Sequence, residues 1–115
     1  KAMAQSCADK VIRANHGAQY FDEPYRHMIL DDFLEKRLAD LCLANFPPLE
    51  DGCWEFANDK DVEIKYRSTW GSEFDIPEGI VDAVRILNSS LFLTAMAQRI
   101  GIEKIVPDKS PKIDF

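Results

Sequence analysis

The sequence predicts an α+β fold: about four helices packed on a small, mostly antiparallel sheet. Three observations carry that expectation. Acidic or serine caps precede apolar stripes at helical spacing in several places. Apolar and polar residues alternate on both sides of a polar turn near residue 60, the signature of a half-buried hairpin. The composition, 46% hydrophobic and 30% charged, is that of a chain with a core. At 115 residues it is a single domain, of a size that buries about two-thirds of its unfolded surface.

Residues 2–14 read as a first helix, with Cys7, Ala8, Val11 and Ile12 as a thin apolar stripe. Asn15-His16-Gly17 ends it, because glycine tolerates the left-handed conformation of a helix stop. Residues 19–24 are a connector. Residues 26–30 read as a strand, and consecutive Met28, Ile29 and Leu30 imply burial on both faces. Asp32-Phe33-Leu34-Glu35 has the capping-box pattern, with Asp32 as N-cap. The helix it opens places Leu34, Leu38, Leu41, Cys42 and Asn45 on one side, and Phe46-Pro47-Pro48 stops it.

Trp54 and Phe56 alternate with Glu55, and Val62, Ile64 and Tyr66 alternate with Glu63, Lys65 and Arg67. A hairpin joins them, with a loop longer than two residues. Asp75-Ile76-Pro77-Glu78 repeats helix-start chemistry, with Asp75 as cap and Ile80, Val81, Val84 and Leu87 as the buried stripe. Asn88-Ser89-Ser90 breaks that helix and caps another, whose stripe is Phe92, Leu93, Met96 and Ile100. Gly101 and Ile102 suit a Schellman ending. Residues 104–106 read as a short strand before Pro107.

Composition also excludes. Twenty acidic against 14 basic residues give a formal charge of −6, which disfavours a nucleic-acid surface. No apolar run approaches the roughly 18–20 residues that span a bilayer, so no membrane partner is expected. The three cysteines, Cys7, Cys42 and Cys53, have no C-x-x-C spacing and leave one unpaired in any disulfide scheme. A reducing compartment, the cytoplasm, is the expectation. Lys1 in place of an initiator Met suggests a processed, trimmed or internal start.

Candidates for chemistry are few. His27 and Asp31 share a face of an extended strand but lie about 13 Å apart at roughly 3.3 Å per residue, too far to ligate one metal ion. Asp32 is accounted for as a cap, and His16 as a residue of an exposed helix terminus. The cysteines read as buried structural thiols, Trp54, Tyr66 and Trp70 as core aromatics, and Asp59, Asp61 and Glu63 as a solvated turn.

The stretch Pro24-Tyr25-Arg26-His27-Met28-Ile29-Leu30-Asp31-Asp32-Phe33-Leu34 resembles the leading strand and helix of the 2-oxoglutarate and Fe(II)-dependent oxygenases, in particular the bacterial and phage prolyl 4-hydroxylase-like group. Asn88-Ser89, Phe92-Leu93, Ile100-Gly101-Ile102 and Val106-Pro107-Asp108 match a second segment of that family in order and spacing. The likeness covers residues 19–108. It implies the N-terminal part of a double-stranded β-helix oxygenase, with Pro24, His27, Asp31, Asp32, Phe33, Leu34, Asn88, Ser89 and Gly101 as structural motif residues. The family holds iron with His-x-Asp and a distal His, and the cosubstrate carboxylate with a downstream Arg. This chain has no His-x-Asp; its tail, Lys112-Ile113-Asp114-Phe115, carries lysine where the first histidine would stand. The resemblance therefore implies no catalytic, cofactor-binding or metal residue here. Fe(II) and 2-oxoglutarate are implied only for the complete enzyme, a dioxygenase that hydroxylates its substrate.

Three functions remain open from sequence. The chain is a truncated or support segment of such an oxygenase, whose partner is the jelly-roll portion or a second copy. Alternatively it is a self-standing, non-catalytic interaction module. The third is a small enzyme using carboxylates such as Asp59 or Asp61.

Overall fold

The computed structural model describes residues 2–59 and 63–107. Among the described residues, four helices and two separate two-stranded antiparallel sheets make up an α+β fold. In chain order they are α1 (Ala2–Ile12), β1 (Tyr20–Phe21), β2 (His27–Met28), α2 (Lys36–Asn45), β3 (Trp54–Asp59), β4 (Glu63–Ser68), a 3-10 turn (Glu73–Asp75), α3 (Ile80–Leu87) and α4 (Ser90–Ile100).

The closest helix pairing is α1 against α4, made through small residues. Ala8, Val11 and Ala95 form one buried cluster, flanked by Met28, Leu30 and Met96. Ala4, Cys7, Leu38 and Ile86 form a second, flanked by Met3, Leu34 and Cys42. Phe33 and Phe92 border both clusters. Their rings meet edge-to-face at 5.6 Å, an arrangement that the ring quadrupole favours. On α1, Ile12 faces solvent and Ala4 takes the inner place, so the stripe runs one turn nearer the N-terminus than expected. On α3, Ile86 is buried and Leu87 is 48% exposed, which corrects the expected stripe by one residue.

Several local expectations hold. Ser89 caps α4, its hydroxyl accepting from the Phe92 amide at 3.2 Å. Gly101 ends α4 at φ 79°, and the amides of Gly101 and Ile102 both reach the Ala97 carbonyl at 3.0 Å, combining the Schellman 6→1 bond from Ile102 with the 5→1 bond of the left-handed cap from Gly101. Phe46 closes α2 in an extended conformation ahead of the prolines. β3 and β4 pair from Trp54↔Ser68 to Asp59↔Glu63, so the connection exceeds two residues. Its residues 60–62 lie outside the described part, as does the tail from Asp108.

Others are corrected. Asp32 is not an N-cap: it sits at φ 52°, and α2 begins after Glu35, whose side chain makes no capping bond. A short polar side chain tolerates the left-handed turn. That turn directs Phe33 into the core, while the Lys10 ammonium from α1 donates to the carbonyls of Asp32 and Phe33. The strand expected over residues 26–30 shortens to His27–Met28, because its partner β1 is only two residues long. Residues 19–24 therefore supply a strand as well as a connector. Met28 and Leu30 point inward while Ile29 is 57% exposed, so one face of this segment is buried and not both. Asp75 does not cap α3. It ends the 3-10 turn, which Ser72 caps through the Phe74 amide, and Gly79 precedes α3 at φ 88°. Residues 104–106 form no strand; among the described residues, no neighbouring strand pairs with them.

Candidate interaction surface

The two segments that carry the family resemblance come together in space. Phe33 touches Phe92, Met28 and Leu30 lie in the cluster that includes Met96, and the Arg26 guanidinium donates to the Ile100 carbonyl at 2.9 Å. Asn88 closes α3 through its amide to the Val84 carbonyl, and Ser89 and Gly101 bound α4. Leu34 lies against the α1–α2–α3 cluster. Pro24 follows a cis peptide bond in the exposed β1–β2 connection, and Asp31 is exposed. Of these residues, Phe33 lies at the junction itself, while Pro24 and Asp31 lie on the surface.

His27 stacks on Phe21 with ring centroids 5.0 Å apart and an interplanar angle of 16°. Its Nδ1 lies 2.7 Å from the Tyr25 carbonyl oxygen, which can only accept, so Nδ1–H is the donor. His16 Nε2 lies 3.0 Å from Asp22 Oδ2 with both side chains well exposed, a geometry worth about 0–1 kcal/mol. Among the described residues, no group of three His, Cys, Asp or Glu side chains is placed to hold a metal ion. The three free thiols have pKa values above the usual range. Burial is the first cause in each, with Asp82 adding to it at Cys42 and Asp51 at Cys53. They stay protonated at neutral pH and are poor nucleophiles.

The surface that stands out is the hairpin. Its register places Trp54, Phe56, Tyr66 and Ser68 on one face and Glu55, Ala57, Lys65 and Arg67 on the other. Phe56 and Tyr66 are cross-strand neighbours, with rings 5.3 Å apart, and stay 55% and 45% exposed. Trp54 extends this face towards Trp70 at 6.1 Å and towards Phe46, itself half exposed, at 5.7 Å. The Trp54 indole donates to the Pro48 carbonyl at 3.0 Å, which ties β3 to the end of α2. The main contact of each hairpin strand is with the other. A two-stranded hairpin of this kind is marginal in water unless something covers its apolar face.

Sequence reasoning assigned Trp54, Tyr66 and Trp70 to the core; the structure leaves Tyr66 exposed and Trp54 and Trp70 only partly covered. The missed signal was the number of strands: alternation marks an apolar face, and two strands alone offer nothing to bury it. Asp59 and Glu63 pair at the hairpin's far end, but their side chains and Asp61 lie outside the described part.

Among the described residues, no single helix is long and apolar enough to cross a membrane. α3 and α4 are apolar enough together, but the chain bends by 47° between them. No protein-family model matches the chain, and neither a curated protein nor a solved structure matches it.

Proposed function

We propose that this chain is an N-terminal support segment of a 2-oxoglutarate and Fe(II)-dependent dioxygenase and is not catalytic by itself. Its role is to present the helices and the β3–β4 hairpin to a jelly-roll portion that carries the iron site. The observation that supports this reading is the aromatic face of the two-stranded hairpin, on which Phe56 and Tyr66 are exposed and Trp54 is only partly covered. Contiguous exposed apolar surface of this kind marks an interaction site, and a further sheet is the cover that suits it. Convergence of the two resembling segments at Phe33–Phe92 and Arg26–Ile100 gives the scaffold the rigidity such a role needs. Three free thiols suit a reducing compartment such as the cytoplasm.

Iron and 2-oxoglutarate would be held by the His-x-Asp pair, distal His and Arg of the complete enzyme. The described residues do not fit that role, since no group of three ligands converges among them. No step of the hydroxylation is assigned to this chain.

The deciding experiment is to read and express the polypeptide encoded beyond Phe115. A downstream His-x-Asp, a later His and an Arg are expected, together with burial of Phe56 and Tyr66 in the longer protein, read by oxidative footprinting. A polypeptide without those ligands, or one that leaves both rings as reactive as before, overturns the proposal. Exposed apolar residues away from the hairpin, Leu43 at 79% and Phe74 at 91%, favour the second reading, a self-standing interaction module. Ring protection by a separate protein, without an iron site in cis, would be its mark.

A further inference from the structure

We draw no further inference here: the strongest candidate, the groove between α1, α2 and α3 lined by Met3, Leu38 and Leu41, carries nothing because nothing in the structure shows what covers it.

Discussion

Replacing Gly79 by alanine tests how closely α2 and α3 approach. Gly79 sits at φ 88° and ψ −52°, outside the left-handed helical region, where an L-residue is strained by at least about 1–2 kcal/mol. A Cβ there would also lie 2.8 Å from the Leu41 side chain, 3.1 Å from the Cys42 amide nitrogen and 3.2 Å from the Leu41 carbonyl carbon. Two of those three atoms belong to the backbone of α2, so a side-chain rotation cannot relieve the clash. Overpacking of this kind adds about 1–3 kcal/mol, for a total of about 2–5 kcal/mol. Gly101, in the left-handed region at ψ 26°, is the milder comparison. Its φ is 79°, but the nearest atom to a Cβ is Arg26 Nη1 at 3.6 Å, an ordinary contact, so Gly101→Ala should cost only the strain of about 1–2 kcal/mol. A domain of this size has about 6–15 kcal/mol in all, so Gly79→Ala should remove a large fraction of it. Urea denaturation followed by far-UV circular dichroism measures both variants against the parent. If Gly79→Ala costs no more than Gly101→Ala, the close approach of α2 and α3 is wrong.

Other outcomes follow from the packing and the caps. Leu38→Ala, at a position only 2% exposed, should cost about 2–5 kcal/mol in the same denaturation measurement; a cost below 1 kcal/mol would contradict its place in the core. Ser89→Ala should cost about 1 kcal/mol by freeing the Phe92 amide, and Ser89→Asp should restore most of it. The double variant Phe56→Ser/Tyr66→Ser should keep the helical circular dichroism and lower binding of a hydrophobic dye; unchanged dye binding would mean that this face is not the exposed apolar surface. Burial raises the folded pKa of Cys7, so the folded state holds that proton more tightly than the unfolded chain. Its contribution is complete below the ordinary thiol pKa of about 8.5 and is lost as pH rises through the higher folded value. Stability should fall on the alkaline side, and Cys7→Ala should flatten that limb; an unchanged slope would refute the assignment.

Features legible in the sequence were those whose chemistry is local. Ser89 and Gly101 each act within four or five residues of themselves, one through its hydroxyl and the other through its lack of a Cβ, and both do what their residue types predict. The β3–β4 pairing was legible because alternation and the polar turn lie in one short stretch. Asp32 was misread because its capping pattern is also local, whereas its conformation is set by Phe33 reaching the core and by Lys10 arriving from another helix. The strand over residues 26–30 fell short for a similar reason: β1, its partner, sets the length. The hairpin's aromatic face was recognisable as apolar, but whether it meets a partner depends on how many strands surround it. The meeting of Arg26 with the Ile100 carbonyl spans 74 positions, and no single-sequence pattern announces it.

The ring pair of Phe33 and Phe92 has a consequence for how the molecule comes apart. The two buried clusters are small, and either one alone would be expected to open as its own unit. Because both rings border both clusters, loosening one withdraws contacts from the other. α1 links the two clusters as well, with Ala4 and Cys7 in one and Ala8 and Val11 in the other, so the four helices should exchange their amide hydrogens in one cooperative transition. Phe92→Ala should weaken that coupling and broaden the transition, leaving α1 and Phe33 as the remaining links between the clusters, so this aromatic contact contributes to the domain's cooperativity as well as to its packing.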